Sequence, residues 1–470
     1  MHLVMKRHAH LWLGPLAALA LMAGATASTP VAGAAQVGVN VTANSGNFFG
    51  SAKVRDAIRS SRPKWVRVFV GWNAVEPKQG VYNVADIQNY QRFFASLPAG
   101  TKVDVDVEGT PAWATGGPTD IRTPPANDST YAGFVNYLAN AFHGRVAAWE
   151  IWNEEDSPAW WAGTPAQYVA LLKAAYPAIK AAAPKSTVLV GGLTGNDGPY
   201  LSQLYAAGAK GSFDAVAVHT DTGCNVTSPT VFEYNRGTHT VNQYFFLGFT
   251  AIHGVMVAAG DAAKPIYMTE LGWASTTAEC LTGAWAGKKL AGVTQGTQAT
   301  YLTQAYHCLA QPQYKYVKAA MWFELFNNGT SAQQPLDNYG LLNTDYSPKP
   351  AFAAFQQESL HGDQLSGPCG NFAPPTIAVL RPTPGLRYSG VLRISVAATS
   401  ATNGVREITF NLTRHSRVHF VAKGFPKSFS GSMAWQGAKT IKLGPHTIKV
   451  VVTDKLGNVA TRFIHVVHMG

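Results

Sequence analysis

The sequence predicts an α/β fold, a (β/α)8 TIM barrel, followed by a small all-β immunoglobulin-like sandwich. Between residues 37 and 361, apolar runs alternate with alanine-rich segments that favour helix. After this region, the pattern changes to short runs in which polar and apolar residues alternate. The length of 470 residues also argues for more than one domain, because single hydrophobic cores stop growing at about 250 to 300 residues.

Eight apolar runs are the predicted strands of the barrel. They cover residues 37–43, 64–70, 102–108, 146–153, 187–191, 213–219, 265–270 and 318–325. Eight strands separated by helical segments have the number and order of a (β/α)8 barrel. In that fold the catalytic groups lie at the C-terminal ends of the strands, so the residues that end these runs are the candidates for chemistry.

The N-terminal segment is typical of a secretory signal peptide. Lys6 and Arg7 precede an apolar run over residues 11–27, and small residues follow. An uncleaved membrane anchor is the alternative, but the run is shorter than the roughly 20 residues that a spanning helix needs. We therefore expect a secreted protein, extracellular or associated with the cell envelope. The predicted organisation is a signal peptide and small-residue lead-in over 1–36, the barrel over 37–361, a linker over 362–375 and the sandwich over 376–470.

The predicted sandwich carries the formal charge of the protein. Residues 371–470 contain thirteen Lys or Arg and only two acidic residues, Glu407 and Asp454, whereas the first 370 residues are formally neutral. Alternating runs separated by turn residues indicate an antiparallel sandwich that resembles the accessory modules of secreted bacterial hydrolases. Its basic surface predicts contact with an anionic cell-wall polymer or exopolysaccharide. A solubilising face or spacer is the alternative, and no nucleic-acid-binding motif is present.

Four cysteines allow three disulfide pairings in an exported protein. On the predicted barrel, Cys224 and Cys280 follow the sixth and seventh strands, whereas Cys308 and Cys369 lie near the last two helices. We therefore expect disulfides Cys224–Cys280 and Cys308–Cys369. No two cysteines are close in sequence, so the spacing of a zinc site is absent. No metal and no cofactor is expected.

Two of the predicted strands end in a glutamate. The fourth leads directly into Asn153, Glu154 and Glu155, and the seventh ends at Glu270. Strands of one barrel that each carry a carboxylate at the C-terminal end can place two acids on either side of one bond. Such a pair is what a glycosidase requires. We assign Glu150 to the strand body and Glu155 to the loop.

Acids at the ends of strands four and seven, the first of them after an Asn, resemble clan A of the retaining glycoside hydrolases. Other matching positions occur on the second, third, sixth and eighth strands or directly after them: Arg67, Trp113, His219 and Trp322. The resemblance covers roughly residues 37–358. Within the clan it is greatest to family 39, with family 5 next.

The resemblance implies a role for each residue. Glu154 is implied as the acid/base, Glu270 as the nucleophile and Asn153 as a ligand of the sugar 2-hydroxyl. The side chains implied to hold the nucleophile ionised or to contact the sugar are Arg67, Trp113, His219 and Trp322. An isolated Trp packs in a core more often than it binds ligand, so the tryptophans carry less weight than the acids.

Three acids of the third strand offer a rival site. Asp104, Asp106 and Glu108 alternate with valines, so the acids share one face of the strand. We interpret them as part of a structural network with Arg67. A metal site is less well supported, because same-face residues lie roughly 6 to 7 Å apart and only Glu108 would reach the barrel rim.

The sequence therefore predicts a secreted retaining O-glycoside hydrolase that acts on a poly- or oligosaccharide by double displacement. The expected partner is the glycan substrate, with no nucleic acid and no membrane span, and the protein is expected to be a monomer. The alternative is a catalytically silent carbohydrate-binding or envelope-adhesion protein on the same scaffold.

Overall fold

The computed structural model describes most of the chain. The described residues are 34–42, 49, 51–117, 119–142, 144–220, 224, 226–235, 240–280, 286–329, 331, 334–361, 369, 375–400, 404–413, 416–455 and 459–470. The predicted signal peptide and nearly all of the predicted linker lie outside them. In the described part of the chain, every helix is too short or too polar to cross a membrane.

Eight parallel strands close into a barrel, which confirms the predicted fold class. In chain order, they are β1 Gln36–Asn40, β2 Trp65–Gly71, β3 Lys102–Glu108, β4 Val146–Asn153, β5 Thr187–Leu193, β6 Ala215–His219, β7 Ile266–Leu271 and β8 Val317–Trp322. Each strand pairs with its neighbours in sequence, and β1 closes the barrel against β8. The predicted runs coincide with these strands to within a few residues.

A helix follows each strand. The helices are α1 Ala52–Ser61, α2 Val84–Ser96, α3 Asp128–Ala141, α4 Pro165–Ala182, α5 Gly198–Ala206, α6 Phe249–Ala258, α7 Gln295–Leu309 and α8 Pro350–His361. The sequence marks several of their starts. At α4, for example, Thr164 and Gln167 form a capping box, and Pro165 occupies the first turn, where its missing N–H costs nothing.

The side chains on the two faces of each barrel strand pack in different apolar clusters. Along β3, Val103, Val105 and Val107 belong to the apolar layer between strands and helices, so the acids between them point into the barrel. The lower barrel interior is filled by a separate small cluster that includes Trp65 and Tyr267, whose rings meet edge to face at 5.5 Å. The barrel is therefore a packed core whose open end lies at the C-terminal ends of the strands.

Two disulfides join loops and helices of the barrel, with the pairing that we expected. Cys224–Cys280 connects the loop after β6 to the loop after β7. Cys308–Cys369 connects α7 to the chain beyond α8. Because disulfides persist in oxidising compartments, both bonds fit an exported protein.

The C-terminal part is all β, as predicted. Its strands are β9 Thr376–Arg381, β10 Leu386–Tyr388, β11 Leu392–Thr399, β12 Val405–Asn411, β13 Arg417–Val421, β14 Ser428–Trp435, β15 Gly444–Asp454 and β16 Val459–His468. They form a three-stranded sheet in the order β9-β11-β14 and a five-stranded sheet in the order β10-β16-β15-β12-β13. Val396, Phe410 and Val450, from both sheets, share one apolar core.

Candidate active site

The open end of the barrel brings together the two glutamates that end β4 and β7. Glu154 directly follows β4, and Glu270 is the penultimate residue of β7. His219, the last residue of β6, lies between them, and its Nδ1 is 2.7 Å from Glu154 Oε1 and 3.6 Å from Glu270 Oε2. One carboxylate oxygen of each glutamate and a ring nitrogen of His219 all lie within 4.8 Å of one another. The structure thus brings three of the predicted site residues close enough together to act on one bond of a bound substrate.

The chain leaves β4 through a strained turn that carries Glu154. Trp152 has φ 70° and Glu154 has φ 48°, a left-handed conformation that bulky residues rarely adopt and that clusters at functional sites. Packing holds the turn in place. The Trp152 ring contacts that of Trp161 at 4.9 Å, and its Nε1 donates to the Trp160 carbonyl oxygen at 3.0 Å.

Arg67 on β2 is the hub of the site. Its guanidinium is fully buried. It donates to five acceptors over 2.7–3.1 Å: Glu150 Oε2, Glu270 Oε1, Asp106 Oδ2, Asn153 Oδ1 and Asn40 Oδ1. Burial by itself lowers the pKa of Arg67, but the charges of the surrounding carboxylates outweigh burial and raise it. The guanidinium therefore stays charged and favours the ionised form of Glu270.

The three acids of β3 lie at different depths in the barrel. Asp106 pairs with Arg67 at 2.8 Å, in agreement with the predicted network. Asp104 lies deeper, and neither of its carboxyl oxygens has a hydrogen-bond partner among the described residues. Burial and the charge of Glu150 raise the pKa of Asp104 well above its usual range. Glu108, at the C-terminal end of β3, reaches the rim.

Glu154 has the protonation behaviour of a general acid. Burial raises its pKa to about 7, against the opposing effects of Arg67 and of a hydrogen bond from Trp160. Its side chain is 19% exposed, so a substrate can still reach it. Glu154 Oε1 lies 2.7 Å from His219 Nδ1, within hydrogen-bonding distance.

A cavity of about 690 Å³ opens over these residues. Asn153, Glu154 and Glu270 line it, whereas Arg67 and His219 lie buried behind the carboxylates. The other polar and acidic lining residues are Thr42, Asp86, Asn89, Glu108 and Asn328. The aromatic lining residues are Phe49, Phe69, Tyr90, Trp160 and Phe323.

Two tryptophans that the resemblance assigned to the substrate are not among the residues that line this cavity. Trp322 is fully buried, and its Nε1 donates to the Tyr339 carbonyl at 3.1 Å. Trp113 packs edge to face on Trp72, and its Nε1 donates to the Glu76 carbonyl at 2.9 Å. Their contact with a sugar stays a prediction.

Other aromatic residues line the cavity where Trp113 and Trp322 do not. Trp160 is 39% exposed at the cavity, and Phe323 directly follows β8. Sequence reasoning did not assign a binding role to Phe323 or Glu108. Their positions at the ends of strands were the available signal.

Two consecutive glycines of β5 make room for the site. A Cβ on Gly192 would overlap the imidazole of His219, and a Cβ on Gly191 would overlap the Glu155 carboxyl and the Trp152 carbonyl. Larger residues here would displace the turn that carries Glu154 or the histidine that contacts it. The residue pair is therefore a steric requirement of the site.

The atoms of Glu154, His219 and Glu270 also have the spacing of metal ligands. However, Arg67 Nη1 already donates to Glu270 Oε1 at 2.8 Å, and this positive charge repels a cation at the same carboxylate. Acid–base chemistry is the better fit to this arrangement.

Comparison with known proteins supports the fold. No family model matches the sequence, and no curated protein matches it. A family 39 glycoside hydrolase from Bacteroides cellulosilyticus WH2 superposes with a TM-score of 0.54 at 19% identity, over 85% of this chain and 79% of that chain. The chain shares the family 39 fold. The GH39 enzyme from Xanthomonas axonopodis pv. citri gives a TM-score of 0.52 at 14% identity, over 88% and 94% of the two chains.

Family 5 supplies a further similar structure. GH5_18 from Streptomyces cattleya, in complex with GlcNAc, gives a TM-score of 0.51 at 17% identity, over 76% of this chain and 84% of that chain. The resemblance to families 39 and 5 that the sequence indicated is thus confirmed at the level of the fold.

The steric role of Gly192 is directly testable. We expect Gly192→Ala to lower the free energy of unfolding by about 1–3 kcal/mol, the usual cost of overpacking a buried site. Gly133→Ala, in α3, is the matched control, because a Cβ there has open space within 4 Å and Ala favours helix. Urea denaturation of both variants measures the difference. Equal stability of the two would contradict the steric requirement.

Proposed function

We propose that this protein is a secreted retaining O-glycoside hydrolase with Glu154 as acid/base and Glu270 as nucleophile. The observation that carries the proposal is the separation of the two acids, whose nearest oxygens lie within 4.8 Å. Retaining glycosidases hold their carboxyl groups about 5–5.5 Å apart, whereas inverting enzymes leave about 6.5–9.5 Å for a water molecule. A direct attack by one carboxylate fits the shorter distance.

The two acids have different environments, as double displacement requires. Arg67 donates to Glu270 and favours the carboxylate that attacks the anomeric carbon. Burial keeps Glu154 protonated up to a pH near its pKa of about 7, so it can donate that proton to the leaving oxygen. In the second step, the Glu154 carboxylate accepts a proton from the water that releases the sugar.

Asn153 is placed to orient the sugar. Its Oδ1 accepts from Arg67 at 3.0 Å, so the amide is fixed with its NH2 group as the donor that remains for a ligand. Asn153 lines the cavity beside Glu154. A hydroxyl group next to the anomeric carbon is the acceptor that this position suits, and Trp160 offers an aromatic face at the cavity mouth for a sugar ring.

Removal of either carboxyl tests the assignment. We expect Glu154→Gln and Glu270→Gln each to lower kcat at least about 100-fold on any glycan that the wild type cleaves. A general acid–base group contributes about 10²–10⁴, and without the Glu270 carboxylate the glycosyl-enzyme cannot form. Glu155→Gln is the control, because Glu155 is adjacent to Glu154 but is buried and does not line the cavity.

The stereochemistry of the product separates the possible outcomes. NMR should show that the first product keeps the anomeric configuration of the substrate. Inversion would remove Glu270 as nucleophile. Binding of glycans by the wild type without any cleavage across a broad panel would favour the silent carbohydrate-binding alternative.

The pH dependence of catalysis follows from Glu154. A general acid must be protonated in the free enzyme, so kcat/KM should fall about tenfold per pH unit above about 7. The pH profile of kcat/KM, measured on a neutral glycan with a nonionisable leaving group, shows whether activity falls above this pH. A profile that stays flat to pH 9 would contradict the assignment of Glu154 as the acid.

We further propose that the C-terminal sandwich holds the enzyme on an anionic cell-wall polymer or exopolysaccharide. Strand register aligns Arg417, Asn411, Lys449 and Phe463 across four strands of the five-stranded sheet. Arg417, Lys449 and Phe463 are exposed. Cations beside an exposed aromatic ring suit an acidic glycan, because the charges pair with its anions and the ring packs on its sugars.

Charge reversal on this row tests the tether in the full-length chain. We expect Arg417→Glu/Lys449→Glu to weaken binding to an insoluble uronic acid polysaccharide at least about tenfold, and added salt to weaken wild-type binding. Arg381→Glu/Arg393→Glu makes the same charge change on exposed residues of the other sheet. Equal effects of the two variants, or wild-type binding that salt does not change, would contradict the tether at this row.

A further inference from the structure

The wall of the candidate active-site cavity is acidic. Its lining includes Asp86, Glu108, Glu154 and Glu270, whereas Lys, Arg and His are absent from the described residues that line it. A glycan that carries carboxylates or sulfates would therefore meet like charge on entry. The cavity and the basic sandwich have opposite electrostatic character, so an anionic polymer suits the sandwich and not the cavity.

Three of these four acids already have a hydrogen-bond partner in the protein. Asp86 accepts from Asn83 Nδ2 at 2.6 Å, Glu270 accepts from Arg67, and Glu154 contacts His219. Glu108 differs, because none of the described residues forms a hydrogen bond or salt bridge with its carboxyl. It is half-buried at the end of β3, beside Gly71, its partner in β2.

Burial and the neighbouring acids disfavour the ionised form of Glu108. Burial raises the pKa of Glu108 to about 7, and although Arg67 opposes this, the charges of Glu270, Glu154 and Glu150 raise it further. Gly71 and Glu108 both line the cavity, so a ligand in the cavity can reach the Glu108 carboxyl. A positively charged ligand there would ionise Glu108 and reduce the repulsion among the glutamates.

We propose that Glu108 binds the protonated amino group of an amino sugar, so that the substrate is a glycan with de-N-acetylated hexosamine. This inference rests on the proposed glycosidase function. An ammonium group supplies three donors and a positive charge, whereas a hydroxyl or an N-acetyl group supplies no charge to offset the acidic wall. Glu108 is thus the specificity-determining residue.

The experiment compares one set of hexosamine oligosaccharides before and after chemical N-acetylation. Wild type should cleave the free amine at least about tenfold better in kcat/KM, the effect of one charge-assisted hydrogen bond in a partly buried site. Glu108→Gln should lose that preference, so that its kcat/KM values for the free amine and for the acetylated set agree within about threefold. Glu407→Gln, in the sandwich, is the control for removal of an acid elsewhere. Glu108→Gln should be at least as stable as wild type, because it relieves the repulsion between Glu108 and the neighbouring glutamates.

A binding measurement separates this inference from the proposed function. Calorimetry with the Glu270→Gln protein needs no turnover, and it should show the same preference for the free amine, which Glu108→Gln/Glu270→Gln should lose. If the wild type hydrolyses both sets equally, or Glu108→Gln impairs both equally, Glu108 binds a hydroxyl and the inference fails while the glycosidase assignment stands. If the amine preference in binding holds but no glycan is cleaved, the proposed function fails instead.

Discussion

The buried guanidinium of Arg67 is the interaction on which the rest of the site depends. It lies inside the barrel and donates to side chains on β1, β3, β4 and β7. Removal of one partner from a buried ion pair typically costs about 3–5 kcal/mol, because the remaining charge is left uncompensated. Here one cation compensates several carboxylates at once. The position of the candidate nucleophile and the orientation of Asn153 are therefore consequences of a core interaction and not of the loops.

Burial and contact with this cation together set the behaviour of the acids. Asp106 and Glu270 accept directly from Arg67, whereas Asp104 does not, and burial raises the pKa of both Asp104 and Asp106 well above the usual range. Glu154 and Glu108 lie at the rim, where burial dominates and raises the pKa of each to about 7. Contact with Arg67 thus favours the ionised form of Glu270, whereas burial favours the protonated form of Glu154. Acid–base catalysis with two carboxyls requires such a difference.

The two parts of the chain have complementary electrostatic characters. The barrel encloses an acidic cavity within a formally neutral region, and the sandwich carries the excess of basic residues. In the proposed function, the polymer that the sandwich holds is chemically distinct from the glycan that enters the cavity. A substrate with free amino groups and an anionic matrix attract each other, so this arrangement would concentrate the enzyme where both occur.

The sequence by itself determined the barrel and the strands that carry Glu154 and Glu270, because hydrophobic periodicity and strand order are local properties of the chain. Only the tertiary structure decided which side chains share a cavity. Trp322 and Phe323 are adjacent, yet the first is packed in the core and the second lines the cavity. Likewise, Asp106 and Glu108 share a strand face, but only Asp106 reaches Arg67. Such outcomes depend on barrel closure and on packing between residues far apart in sequence, which no local pattern encodes.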